Sequence, residues 1–481
     1  MMKQSYILSL LFLFCTVVTG QVTLVGDLNP GVANFSPSNI TVYNGNMFFA
    51  ADDSSGTNTG GVDLGRELWI SDGTLAGTSL LKDINPNNFS SAPFNFFVFN
   101  NILYFTANDG SSELWKTDGT SAGTVKEDII PSAVGEAPNR ATSYINQVFM
   151  TALLNGVANQ LIEWDGVNPA VKAADATNPN ADARVFEMTE FKNELYMYMS
   201  YSPDDATTGN ELYSYDPATD IFTLIADVDS GPGNSGISNF IPTLNTLYFE
   251  ALGNLYQSDG TAAGTIEVPA AATLSLNGVS NLYRFNDLIL FEADAGAGDQ
   301  LYTFNTVSGL INQLSFNSGN NINHDPSDYE ILNGLVYYRG EDSNDTDGNL
   351  YSTDGVTITQ IDNTIKDIDD ITVFNNKLYF EGEQDGVTGN ELFTYDPATA
   401  SITQLTGLGS IGIYPNPAGQ FLQLSGDLND VESYQIYDMA GRQVMESSLK
   451  SNKISLDLAA GTYILQIHSE NNSISLKFVK E

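Results

Sequence analysis

Residues 113–124 read Glu113-Leu114-Trp115-Lys116-Thr117-Asp118-Gly119-Thr120-Ser121-Ala122-Gly123-Thr124, and a near copy, ELWISDGTLAGT, occupies 67–78. Leu68 and Trp69 are adjacent and both apolar. In a strand they point to opposite faces, so both faces of the sheet must be covered. Upstream, Ile40-Thr41-Val42-Tyr43, Asn44-Gly45 and Asn46-Met47-Phe48-Phe49 form a hairpin signal. Downstream, Asp72-Gly73 is a turn and Ser79 to Ile84 a further strand. Four strands, A to D, thus follow one another in about 50 residues.

This grammar repeats about eight times. The B strands are centred on Phe48, Tyr104, Phe149, Tyr196, Tyr248, Leu290, Tyr337 and Tyr379. The aromatic slot of strand C holds Trp69, Trp115, Ile162, Tyr213, Tyr256, Tyr302, Tyr351 and Phe393. Three residues later stand Asp72, Asp118, Asp165, Asp216, Asp259, Asn305, Asp354 and Asp396. Four-stranded sheets with two apolar faces stack radially, so the expected fold is an all-β propeller of about eight blades. Seven is the alternative if the divergent unit 141–179 is incomplete. The repeated Asp reads as a turn residue whose carboxylate accepts nearby backbone N–H groups. Two segments compete for the last outer strand, Gln21 to Pro30 and Ser401 to Leu408, and the N-terminal one is expected to complete the ring.

The charge belongs to the repeats. The chain has 18 Lys+Arg and 59 Asp+Glu, a net charge of -41, of which -39 falls in 21–410. Such a surface disfavours nucleic acid and anionic membrane. The hydrophobic fraction, 42%, suffices for a packed core and argues against disorder. Residues 1–20, with Lys3, an apolar run and Val18-Thr19-Gly20, read as a signal peptide. Its Cys15 is the sole cysteine, so the mature chain has no disulfide. No later stretch is apolar for long enough to span a membrane.

Chemistry is harder to find. His324 reads as a solvated loop residue, and one propeller histidine cannot build a His-rich metal site. Gly231 to Gly236 fits G-x-G-x-x-G but leads into a strand, which excludes a nucleotide site. The pairs Asp52-Asp53, Asp204-Asp205 and Asp369-Asp370 need partners at the ring centre to act as acid and base. The loop Glu341 to Gly348 has oxygen ligands on alternate residues and a Gly, which makes Asp342, Asp345 and Asp347 a weak calcium candidate without the bidentate Glu of an EF-hand. No other cofactor is expected.

From 410 the composition changes to about seven short strands, expected to form a small Ig-like β-sandwich. Residues 67–78 and 113–124 resemble the ELWxxDGT repeat proteins, secreted bacterial proteins of propeller-like architecture. Tyr213 to Thr219 and Phe393 to Thr399 have a kelch-like phase without its double glycines. Residues 411–481 resemble the type A C-terminal sorting domain of the type IX secretion system of Bacteroidetes. The matching pieces are Tyr414-Pro415-Asn416-Pro417, Asp438-Met439-Ala440-Gly441-Arg442, Leu458-Ala459-Ala460-Gly461-Thr462-Tyr463 and Lys477-Phe478-Val479-Lys480. These readings divide the chain at 1–20, 21–409 and 410–481, and the resemblance implies passage through the periplasm and engagement of the secretion machinery. It also implies release or display at the cell surface. The reading is an exported binding protein for an unknown protein or glycan. The alternatives are a carbohydrate-active enzyme using funnel carboxylates and a calcium-dependent structural surface protein.

Overall fold

Leu68 and Trp69 do face opposite ways: Leu68 packs with Phe105 and Trp115, Trp69 with Phe35, Phe374 and Tyr379. A computed structural model describes residues 21–397, apart from 58–59, 132–134, 179–180 and 203–204. In the C-terminal part it describes 412–414, 418–425, 428, 431–438, 442–449, 451–469 and 473–480. The chain divides into two compact units, one ending at Pro397 and the other beginning at Ala398.

In the first unit, six separate four-stranded antiparallel sheets accompany one eight-stranded sheet. The larger one is two four-stranded meanders held by the single pairing Gln160–Arg184, and these meanders are the third and fourth of eight sheets in chain order. The eight inner strands are Ser38–Tyr43, Phe94–Phe99, Asn139–Tyr144, Asp182–Phe191, Ser238–Pro242, Asn277–Phe285, Ser327–Leu332 and Lys366–Phe374. Each lies against the inner strand of the next sheet, and the eighth lies against the first. The unit is a closed β-propeller. The divergent third repeat forms all four of its strands, the last being only Val171–Lys172.

Closure uses the N-terminal strand. Val22–Leu24 pairs with Glu391–Tyr395 as the outer strand of the eighth sheet, with Val22 opposite Tyr395. The competing segment 401–408, like the proposed signal peptide, lies outside the described residues.

The repeated motif divides its labour by residue. Its glutamate is a buried clamp on the loop to the next sheet. Both oxygens of Glu67, which is wholly buried, accept hydrogen bonds, from Ile84 N (2.7 Å) and from Ser91 N (2.9 Å) and Oγ (2.6 Å). Glu211 accepts Val228 N (2.7 Å) and Glu391 accepts Leu28 N (3.0 Å) and Asn29 N (2.9 Å). Burial pushes Glu67 and Glu211 up to about 7 and Glu391 up to about 8, against the opposing pull of these bonds. The glycine at the motif's end has its own reason. A Cβ on Gly77 would lie 2.0 Å from Asp72 Oδ1, and the same holds at Gly264 against Asp259.

The second unit has a three-stranded sheet, Gly412–Tyr414, Phe421–Ser425 and Lys453–Ser455, and a four-stranded one. The latter runs Gln443–Ser448, Val431–Asp438, Gly461–Ser469, Ser473–Lys480. Leu422, Leu424 and Ile454 from one sheet and Ile436, Leu465 and Phe478 from the other share one core, which makes a β-sandwich.

Candidate functional site

The inner strands of the propeller are bulged near their starts, and a bulge re-aims the side chains beside it. A left-handed residue sits in the bulge: Asn39 (φ 57°), Asn95 (54°), Asn239 (55°) and Asn281 (54°). Asn and Asp tolerate this conformation best. In the seventh and eighth sheets the position is acidic, Asp328 (52°) and Asp370 (54°). The substitution of carboxylate for amide coincides with a cavity of about 460 Å³ between these two sheets. Ser327, Asp328, Arg339, Asp367, Ile368, Asp369, Glu381 and Asn390 line it.

Neighbouring side chains hold the walls. Ser327 Oγ donates to Asp328 Oδ2 (2.8 Å), and Asn390 Nδ2 donates to Glu381 Oε1 (2.8 Å). Arg339 is steadied by Glu341 Oε1 and the Asp325 carbonyl, each at 3.4 Å. Asp370 stands behind the cavity, accepting Asn39 N (2.9 Å) and so stitching the eighth sheet to the first. Burial, and then the charge of Asp369, push Asp328 up to about 6. Burial also pushes Asp370 up to about 6 and raises Glu381. The arrangement offers hydroxyl, amide, guanidinium and carboxyl groups within one recess. Of the acidic residues singled out in the sequence, Asp369 lines this recess.

A second convergence lies one sheet earlier. Ligand-capable oxygens of Glu292, Asp299 and Asp325 all come within 4.8 Å of one another. Burial raises all three, and neighbouring carboxylates add to the rise at Glu292, to about 7, and at Asp299. Register puts Glu292 at the place of Arg339 and Glu381, opposite Ser280, Ser327 and Asp369 respectively.

The repeat aspartates point into their own turns. Asp72, Asp118 and Asp259 each accept the N–H (2.9 Å) and hydroxyl (2.7 Å) of the Thr two residues on. Asp165 accepts Val167 N and Asn168 N, Asp216 accepts Ala218 N, and Asp354 accepts Val356 N and Thr357 N. These bonds hold all six carboxyls below the usual range. Asp396 instead pairs with Lys377 at 3.2 Å. In the calcium candidate, Asp342 caps a tight hairpin through Asn344 N (2.6 Å) and Asp347 is tied to Lys366 (2.6 Å). The side chain of Asp345 lies outside the described residues.

His324 corrects the sequence reading. It is buried, not solvated, with Nδ1 2.6 Å from the Glu341 carbonyl and Nε2 3.0 Å from Tyr338 Oη. Burial pushes it down to about 4, so it is neutral and donates through Nδ1. Its neighbours Asn323 and Asp325 are polar, so nothing beside it in the chain signals burial.

In the second unit Tyr463 is buried and its hydroxyl donates to the Ala459 carbonyl (3.0 Å). Gly461 pairs with Lys480 at the sheet's end, and Arg442 is exposed. Pro415, Asn416, Pro417 and Gly441 lie outside the described residues, as do the side chains of Asp438 and Lys477.

Residues 412–481 match the family described as Secretion system C-terminal sorting domain. The chain carries a secretion sorting domain. That domain addresses the protein through the type IX system to the cell surface or the extracellular space. No curated protein matches the chain. Among solved structures it is similar to PorZ, an essential bacterial surface component of the type-IX secretion system of Porphyromonas gingivalis. The two share 12% identity at TM-score 0.32, over 93% of this chain and 75% of that one. It is also similar to the β-propeller domain of the Trilobed protease from Pyrococcus furiosus, at 9% identity and TM-score 0.38 over 75% and 92%. YCF48 from Cyanidioschyzon merolae gives 11% and 0.39 over 65% and 97%. Likeness at these scores transfers no function. Among the described residues no helix is long and apolar enough to cross a membrane.

Proposed function

We propose that the protein is an exported ELWxxDGT-repeat propeller that binds a glycan in the cavity between its seventh and eighth sheets. The observation that carries this reading is the cavity's lining. One hydroxyl, one amide, one guanidinium and four carboxyl groups line a volume of about 460 Å³, with Ile368 the one apolar side chain. Such a wall suits a polyhydroxylated ligand, whose hydroxyls both give and accept hydrogen bonds. The mature full chain, screened on a glycan array, is expected to retain a defined set of sugars, and Glu381→Gln and Asp369→Asn are expected to lose them with melting temperature unchanged. Retention that persists in both variants sinks the proposal.

One observation favours a second reading, a carbohydrate-active enzyme. Asp328, Asp369 and Glu381 line one recess beside Arg339, and glycoside hydrolysis uses a pair of carboxyl groups flanking the bond that breaks. Release of reducing ends from any retained glycan, abolished in Asp328→Asn, supports that reading. Binding without release leaves the non-catalytic one.

A further inference from the structure

The outer strands of the propeller are sheet edges, and edges left long and apolar invite another strand. Most here are blunted. The first sheet ends in Ser79–Lys82, the second in Val125–Lys126, the fifth in Ile266–Glu267 and the seventh in Ile358–Asp362, each short and carrying a charge. The sixth and eighth end in the three-residue strands Ile311–Gln313 and Val22–Leu24. The fourth sheet departs from this pattern. Its outer strand, Ile221–Ala226, has six residues, IFTLIA, without a charge or a proline, and Leu224 is 40% exposed. Among the described residues it is paired on one side only, with Asn210–Asp216.

A second feature lies at the same place. A cavity of about 430 Å³ is walled by Phe222 of this strand and by Ala173, Ala174, Ala181 and Ala183, with Asp175, Asn178 and Lys172 completing the wall, the lysine paired with Asp182 at 3.6 Å. Alanine walls leave room for a side chain that the protein does not itself supply. Phe222 and Leu224 are two apart and share a face. A strand added alongside runs about 4.8 Å away, with alternate side chains on that same face. The surroundings select for charge. Asp220 precedes the strand, and Asp227 and Asp229 follow it. A second copy of this chain, itself at -41, is repelled where a basic segment is attracted.

We propose that Ile221–Ala226 is a strand-addition site for an extended peptide with an apolar centre and basic flanks, one apolar side chain entering the alanine-walled cavity. The site is independent of the glycan reading. It is tested with the mature full chain and the fluorescein-labelled peptide KKVTVTVKK, followed by anisotropy. Saturable binding is expected, at least tenfold weaker for Leu224→Lys and for the peptide KKVPVPVKK, whose prolines cannot pair. Val307→Lys, at an exposed turn of the sixth sheet, should bind as the parent does. Amide exchange should slow at 221–226 and not at 79–82 when peptide is added. Equal binding of both peptides, equal binding by Leu224→Lys, or no protection at 221–226 overturns the proposal. So does a concentration-dependent dimer that Leu224→Lys abolishes in the absence of peptide binding, since it assigns the edge to a second copy.

Discussion

Replacing Glu391 by alanine should open the ring. Its carboxyl is fully buried, and its two oxygens take the N–H groups of Leu28 and Asn29, themselves 1% and 0% exposed. These bonds, with the three-residue strand Val22–Leu24 and the bond from Val25 N to the Leu392 carbonyl (2.9 Å), fasten the first strand to the last sheet. Truncation leaves two buried donors without acceptors, at roughly 1–3 kcal/mol each. A loss of about 2–6 kcal/mol is therefore expected, on the order of 3–8 °C in melting temperature for a domain this large. Glu391→Gln should fall between. At Gln300 the amide succeeds because Oε1 accepts Ser315 Oγ (2.8 Å) and Asn317 N (3.1 Å) while Nε2 donates to the Ile322 carbonyl. Around Glu391 both oxygens meet donors, so an NH2 group faces an N–H. Differential scanning fluorimetry gives the order, and amide exchange at Leu28 and Asn29 locates the opening. If Glu391→Ala melts within 1 °C of the parent, or exchange at Leu28 and Asn29 is unchanged, the clamp is not what closes the ring.

Acid should stabilise the propeller. Glu67 and Glu211 at about 7 and Glu391 at about 8 are all raised above the ordinary 4.5, so the folded state holds protons that the unfolded chain has released. Their stabilisation is full below about pH 4.5 and is lost as pH rises to 8; His324, pushed down to about 4, opposes it below pH 6.5 but is one group against three, so a melting temperature higher at pH 8 than at pH 5 contradicts the reasoning. Gly77→Ala should destabilise by about 1–3 kcal/mol through the clash with Asp72, and Asp72→Ala in the same chain should recover part of that loss. Urea melts of the two single variants and the double variant measure the coupling, and strict additivity refutes the contact. Deleting 412–481 should strand the protein in the periplasm, and surface labelling of the truncated chain would falsify the export route.

The ring was legible because its cause is local. Adjacent apolar residues such as Leu68 and Trp69, repeated in step with hairpin signals, demand sheets covered on both sides. The clamp was missed although its trace was present. Glu67, Glu113, Glu211 and Glu391 precede the Leu-aromatic pair in four units, with Gln160 and Gln300 standing in for them. Glu67 shares a strand face with Trp69, and a charge held on a buried face marks an acceptor that some backbone needs. The cavity could not be read this way. Asp328 and Asp369 are 41 positions apart, and only the stacking of two sheets makes them neighbours. His324 needed the Glu341 carbonyl and Tyr338 to explain its burial, and neither is signalled by its flanking residues.

The pairing of Val22 with Tyr395 also means that the propeller has no true beginning. Its first and last strands are hydrogen-bonded neighbours, about 5 Å apart. A short bridge between them and a cut in any exposed hairpin, such as Asn333-Gly334, would yield a permuted chain with the same eight sheets. In such a permutant the joint that here depends on three residues and one carboxyl becomes covalent, and the vulnerable seam moves to wherever the cut was made.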